Sequence, residues 1–199
     1  MQYDRESVKA WAGDSAWRAL RADYARFRAN NLTGWGSEGF WALALYRLQH
    51  FVVTREPRSL WMPARVALNV VKKVFTLVTT VDLHPTATIG PGMLIRHAGQ
   101  IRVIAHTTIG ADCSLPHVCT IGQGPQPGFA VIGDHVFIGC HATILAPVTI
   151  GDGAVVAANS LVLTDVPAGC TAIGVPARLL PGTGVKRAEP APAKIAIVA

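Results

Sequence analysis

Residues 131–166 read VIGDHVFIGCHATILAPVTIGDGAVVAANSLVLTDV. An aliphatic residue recurs at every sixth position of this stretch, and a small or branched residue follows each of them four positions later. The aliphatic positions are Ile132, Ile138, Ile144, Ile150, Val156 and Val162. A six-residue period suits neither an ordinary helix nor a half-buried strand. It predicts a repeat architecture.

The same period extends from this stretch towards the amino terminus. One set holds Leu83, Ile89 and Ile95, and a second holds Val103, Ile109, Leu115 and Ile121. A two-residue slip separates the two sets, and a five-residue excess precedes Ile132. Thirteen units predict a triangular solenoid of a little over four coils, with the aliphatic residue pointing inward. We expect the excess, around 123–130, to bulge out as a loop.

The chain before the repeat predicts helices. Residues 14–30 carry good helix formers with a periodic apolar stripe, and residues 40–53 form an apolar helix after a turn-rich break. Pro57 and Pro63 bracket the start of a third helix, expected over 64–78.

The chain therefore divides into three predicted parts. These are an α-helical region over 1–81, a mainly β solenoid domain over 82–180 and a flexible Pro/Ala-rich tail over 181–199.

Composition limits the class of protein. Of 199 residues, 50% are hydrophobic and only 15% are charged, which excludes an intrinsically disordered chain. Before Asp82 there are 12 Lys and Arg against 6 Asp and Glu, whereas the counts balance from there onward. The surplus fits a solvated Arg face on the helices, and it also suits contact with an anionic membrane surface. Nucleic acid is not an expected partner, because no phosphate loop, zinc-finger spacing or basic tail occurs.

Targeting signals and cysteines favour a cytoplasmic protein. Asp4 and Glu6 lie where a secretory signal needs positive charge followed by apolar residues. The apolar stretch 60–81 is interrupted by a proline and three basic residues. It therefore argues against a spanning helix and leaves open an interfacial helix at the inner face of the membrane. The four cysteines form no C-x-x-C pair and are expected to be small buried residues.

Three motifs resemble those of the hexapeptide-repeat acyltransferases, and within them the serine acetyltransferase family. They are Asp82-Leu83-His84-Pro85, Arg96-His97-Ala98-Gly99 and Gly174-Val175-Pro176-Ala177-Arg178. The resemblance implies a left-handed parallel β-helix and an acetyl-CoA-dependent O-acetyltransferase. It also implies a homotrimer or a dimer of trimers, because the family builds its sites between adjacent solenoids.

The resemblance assigns the catalytic residues. His97 matches the general base that takes the proton from the acceptor hydroxyl, and Asp82 matches the carboxylate that orients this imidazole. The chemistry requires such a pair, because a hydroxyl attacks a thioester poorly until a base within hydrogen-bond reach removes its proton.

The resemblance also assigns the acetyl-CoA groove. The family binds the pantetheine arm along small residues of the later coils, between neighbouring subunits. Gly139, Ala142, Ala157 and Ala158 match such positions, and Arg178 is placed to meet a phosphate. The reaction needs no metal.

Three departures from the family pattern concern the acceptor. Arg96 stands where an acidic residue usually precedes the catalytic His, and Ala105 replaces a Glu. In a shortened loop, Gly128 and Phe129 replace an Arg and a His. Losing these groups predicts an acceptor other than L-serine, namely a hydroxyl of a sugar or polysaccharide precursor, contacted by Arg96 and Phe129. Shorter relatives in surface-polysaccharide assembly resemble the chain in this loop and in the motif at 46–50.

Other functions remain open from the sequence. One is a serine O-acetyltransferase of cysteine biosynthesis. A second is a zinc-dependent, carbonic-anhydrase-like protein, because His117 and Cys140 fall on one face in successive coils, although no third ligand accompanies them. The last is a non-catalytic scaffold that has lost its activity.

Overall fold

A computed structural model describes residues 16–183. Three helices come first: α1 (Ala16–Ala29), α2 (Glu38–Val53) and α3 (Arg58–Thr79), with a 3-10 turn at Gly34–Gly36 between α1 and α2. Fifteen short strands follow. They are β1 (Val81–Leu83), β2 (Thr88–Ile89), β3 (Leu94–Ile95), β4 (Ile101–Val103), β5 (Thr108–Ile109), β6 (Ser114–Leu115), β7 (Thr120–Gln123), β8 (Val131–Ile132), β9 (Phe137–Ile138), β10 (Thr143–Ala146), β11 (Thr149–Ile150), β12 (Val155–Val156), β13 (Leu161–Val162), β14 (Thr171–Ile173) and β15 (Arg178–Leu180).

The strands wind into a left-handed β-helix of triangular cross-section. Every third strand pairs in parallel, which creates three flat faces. Face A holds β1, β4, β7, β10 and β13, face B holds β2, β5, β8 and β11, and face C holds β3, β6, β9, β12 and β14. Strand β15 closes face C by pairing antiparallel with β14. The solenoid predicted from the repeat is confirmed, and so is the left-handed β-helix that the family resemblance implies.

The core consists of the inward residues of the repeat. Ile109, Ile132 and Ile150 lie in register on face B, and none of the three is exposed to solvent. Burying one such side chain contributes about 1.5–3 kcal/mol, so the stacked rows hold neighbouring coils together.

Both irregularities of the repeat lie at corners of the triangle. The five-residue excess forms the loop between β7 and β8, as predicted. The two-residue slip lies between faces C and A. Arg102 is seven residues after Ile95, whereas their paired residues in the next coil, Thr120 and Leu115, are only five residues apart. The first coil therefore has a corner two residues longer than the coil below it.

Helix α2 covers the open end of the solenoid. Each coil donates backbone N–H groups to carbonyls of the next coil, so the carbonyls of the first coil have no strand beyond them. The Tyr46 hydroxyl donates to the Ala87 carbonyl at 2.7 Å and accepts from the Ile89 N–H at 3.1 Å. His50 Nδ1 lies 2.9 Å from the Pro85 carbonyl oxygen. The motif at 46–50 thus caps the solenoid.

A buried ion pair completes this cap. Arg47 donates to both carboxylate oxygens of Asp23, at 3.0 and 3.2 Å, and to the carbonyls of Ile89 and Gly90. The Asp23 carboxylate also accepts the Met93 N–H at 2.9 Å. Helices α1 and α2 are therefore joined to the first coil by one hydrogen-bonded network.

Helix α3 begins earlier than the sequence predicts, at Arg58 rather than residue 64. Pro63 lies inside the helix, where it removes one backbone hydrogen bond. The Arg65 side chain fixes this part of α3 by donating to carbonyls at the end of α2, including that of Val53 at 3.0 Å. Within the described residues, no helix has the length and apolar character that crossing a membrane requires.

The division of the chain at 81 and 180 stays a prediction. The last helix ends at Thr79 and the first strand begins at Val81. Of the predicted tail, residues 184–199 lie outside the described residues, as do residues 1–15 of the helical region.

Candidate active site

His97 lies in the long first-coil corner, between β3 and β4. It lines an open cleft of about 380 Å³ together with its neighbours Arg96 and Ala98. The opposite wall comes from the break between α1 and α2, and its residues are Leu32, Thr33, Gly36, Ser37 and Glu38. The imidazole is exposed, so a small hydroxyl compound can reach it from solvent.

The cleft holds two opposite charges beside His97. Arg96 donates to the Asn30 side-chain oxygen at 3.2 Å, which ties the guanidinium to the end of α1. Glu38 lies in the first turn of α2 and is exposed. Sequence reasoning missed Glu38, and the only local signal was its place at a helix start after Ser37.

Asp82 does not contact His97 within one chain. Its carboxylate lies 2.7 Å from Lys72 Nζ and 3.9 Å from Arg102 Nε. Across residues 16–183, no hydrogen bond or ion pair joins Asp82 to His97. Burial, and then the Lys72 charge, lower the pKa of the neighbouring His84. The orienting role of Asp82 therefore stays a prediction.

The corner between faces C and A, here called the histidine corner, comprises residues 96–100, 116–119, 139–142 and 157–160. Strands β7, β10 and β13 are paired in register. Three residues before the paired positions stand His117, Cys140 and Ala158, so these three residues form one line along this corner. The ring centroids of His97 and His117 are 6.0 Å apart. Cys140 Sγ lies 3.7 Å from His117 Nδ1, so the predicted shared face is confirmed.

Most of the predicted acetyl-CoA residues lie on the histidine corner. Gly139 is required there, because a Cβ atom would stand 2.5 Å from the backbone nitrogen of Ala158. Ala157 is half-buried and Ala158 is exposed. Ala142 is only 1% exposed, because its side chain packs in the core, and its contact with acetyl-CoA stays a prediction. Arg178 is exposed in β15.

The shortened loop lies at a different corner. Phe129 is 47% exposed and its ring centroid is 5.0 Å from that of His106, at the corner between faces A and B. Arg96 lies at the histidine corner. A single chain therefore does not bring together the two residues predicted to contact the acceptor.

The cysteines follow the prediction with one exception. All four are free thiols. Burial raises the pKa of Cys113 and Cys119 to about 12, so both stay protonated. Cys170 is also buried, whereas Cys140 is only half-buried. Over residues 16–183, no three His, Cys, Asp or Glu side chains are grouped so that they could hold a metal ion.

Comparison with known proteins identifies the repeat and its relatives. The family model "Bacterial transferase hexapeptide (six repeats)" matches residues 129–164. A serine acetyltransferase of Buchnera aphidicola is 33% identical over 75% of this chain and 54% of its own length. A probable serine acetyltransferase of rice is 40% identical over 73% of this chain and 46% of its own. The chain thus spans about half the length of these curated relatives.

A solved structure matches over a larger share. The soybean serine acetyltransferase apoenzyme superposes with a TM-score of 0.73 and 36% identity, covering 86% of this chain and 72% of the soybean chain. The relatives named here are serine acetyltransferases, and the predicted closeness to sugar-modifying members is not supported. The motifs around Asp82 and His97, the repeat and these matches agree. This chain belongs to the serine acetyltransferase family of hexapeptide-repeat acyltransferases.

Proposed function

We propose that the protein is an acetyl-CoA-dependent O-acetyltransferase whose acceptor is the hydroxyl of L-serine. The observation that carries this proposal is the cleft at His97, which has the Glu38 carboxylate on one wall and the Arg96 guanidinium on the other. A free amino acid carries an ammonium and a carboxylate, which such a pair binds by charge-assisted hydrogen bonds. The soybean serine acetyltransferase has also been solved in complex with serine.

This proposal replaces the sugar acceptor predicted from the sequence. That prediction rests on missing charges. Arg96 and Ala105 stand where the family has acidic residues, and Gly128 and Phe129 stand where it has a cation. In the folded chain Glu38 supplies an acidic group from α2, and Arg96 itself is a cation at the same cleft. A sugar hydroxyl is the second candidate, favoured by the exposed Phe129 ring.

In the proposed reaction, His97 removes the proton from the serine hydroxyl as the oxygen attacks the acetyl carbonyl carbon. The carbon–sulfur bond then breaks, and His97 returns the proton to the departing CoA sulfur. Acetyl-CoA supplies the activated acetyl group. Its pantetheine arm would lie along Ala157 and Ala158, where Gly139 permits close packing of the coils, and Arg178 would meet a phosphate.

The same geometry supports an oligomer. Asp82 and Phe129 lie away from His97 in one chain, so we propose that adjacent solenoids in a trimer complete the site. Dimers of trimers and a cytoplasmic location stay predictions. Membrane contact also stays a prediction. Helix α3 exposes apolar residues such as Leu77, which would suit a membrane surface, but its Lys72 is paired with Asp82.

The charge pair is tested with substrate fragments. Glu38→Gln should lower kcat/KM for L-serine about tenfold to 100-fold, the value of one hydrogen bond to a charged group. It should leave 3-hydroxypropionate, which lacks the ammonium, unaffected. Arg96→Gln should lower kcat/KM for L-serine similarly and leave ethanolamine, which lacks the carboxylate, unaffected.

The matched control is Glu56→Gln, because Glu56 is exposed and pairs only with the neighbouring Arg58 in the described residues. This variant should match the wild type with every acceptor. Equal losses for L-serine and both fragments in the Glu38 and Arg96 variants would contradict the assigned contacts.

A further inference from the structure

A second imidazole stands beside His97 in the described chain. The His117 ring is inclined by 70° to that of His97 at a centroid separation of 6.0 Å. The carboxylate predicted to assist His97 is instead 2.7 Å from Lys72. His117 is therefore the nearest ionisable ring that the fold itself supplies to the general base.

His117 lies between His97 and the small-residue part of the histidine corner. Along the line of equivalent positions, His117 is followed by Cys140 and then by Ala158. A pantetheine arm that lies against Ala157 and Ala158 and follows this line towards His97 would pass Cys140 and His117. It would bring the acetyl carbonyl within reach of both imidazoles.

Cys140 contacts the opposite edge of the His117 ring. Its Sγ atom is 3.7 Å from His117 Nδ1, within the range of a hydrogen bond to sulfur, and the tautomer of the ring sets which of the two atoms donates. When the thiol donates to Nδ1, the ring carries its proton on Nε2, and the free edge of His117 is a hydrogen-bond donor.

From this arrangement we propose that His117 donates its Nε2–H to the acetyl carbonyl oxygen and stabilises the negative charge that develops there during attack. This inference rests on the proposed function, because it requires an acetyl group delivered to His97. When the acceptor oxygen bonds to the carbonyl carbon, an electron pair moves onto the carbonyl oxygen beside His117. When the carbon–sulfur bond breaks, that pair returns, so His117 keeps its proton throughout.

His117→Leu and His117→Gln separate this role from packing. Both replacements are similar in size to His, but only Gln keeps an N–H donor. His117→Leu should lower kcat about 100-fold to 1,000-fold, the usual cost of one donor to a developing oxyanion. His117→Gln should remain within about tenfold of the wild type. The KM for acetyl-CoA should change little in either variant, because the contact forms fully only during attack.

His135→Ala is the matched control. His135 is also a corner histidine, and it is exposed, but it lies at the corner between faces B and C, 4.0 Å from Asp112. Its loss should leave kcat unchanged. Thermal unfolding of each variant shows whether any loss of rate reflects loss of fold.

CoA release is measured with L-serine and, in parallel, with water as the only acceptor. If L-serine does not raise the rate above water alone, the serine proposal fails, while the effect of His117→Leu on the water reaction still tests the donor. The His117 proposal is overturned if Leu and Gln give equal kcat values, or if His117→Leu raises the KM for acetyl-CoA and leaves kcat unchanged.

Discussion

A His97→Ala variant is expected to lose about 10²- to 10⁴-fold in kcat, the usual contribution of a general base. The loss should be smaller at high pH, where more acceptor is ionised without help. The fold should survive, because His97 is exposed and makes no hydrogen bond within residues 16–183. Surface substitutions of this kind change the free energy of unfolding by only about 0.5 kcal/mol. Steady-state kinetics and thermal unfolding check both parts.

The control for this variant is His135→Ala. His135 is also exposed, but it lies at the corner between faces B and C, 4.0 Å from Asp112. It should retain wild-type kcat. A His97→Ala enzyme within about twofold of the wild-type rate would contradict the assignment of His97 as general base.

Arg47→Ala is expected to lower the free energy of unfolding by about 3–5 kcal/mol. The substitution leaves the fully buried Asp23 carboxylate without its cation. It also removes the donor to the Ile89 and Gly90 carbonyls at the open end of the solenoid. Urea denaturation at a fixed protein concentration measures the change.

Arg28→Ala is the comparison, because Arg28 lies on α1 but is exposed. Its effect should stay within about 0.5 kcal/mol. A loss below about 1 kcal/mol in Arg47→Ala would mean that the cap on the first coil contributes little to stability.

The sequence predicts the fold well because the solenoid demands one inward aliphatic residue in every six. The predicted coil count is too low for a physical reason. The predicted units end at Val162, but the fifth coil continues with the buried residues Val166 and Ala172. Val166 follows Val162 by four positions instead of six, whereas Ala172 follows Val166 by six. A short corner before Val166 preserves the stacking while it breaks the period.

The repeat also predicts where the side chain of Ala142 lies. It follows Ile138 by four positions, like the other small or branched residues of the repeat. In the structure these residues form a second inward row, in which Val136, Ala142, Val148 and Ala154 are all buried. The repeat therefore favours a core role for Ala142 over a place in the acetyl-CoA groove.

Glu38 could not be predicted as a site residue from the sequence. The motif around His97 marks the predicted catalytic corner, because the residues that carry it are contiguous. Glu38 reaches the same cleft only because α2 is fixed to the first coil through Tyr46 and Arg47. Such a long-range placement leaves no local pattern beyond the position of Glu38 at a helix start.

The most direct test of the central claim is CoA release from acetyl-CoA by the purified protein, with L-serine in one reaction and a panel of sugars and nucleotide sugars in others. We expect L-serine to accelerate CoA release above the rate with acetyl-CoA alone, and the sugars to leave that rate unchanged. Acceleration by a sugar with none by L-serine would contradict the proposed acceptor and would assign the same chemistry to glycan modification.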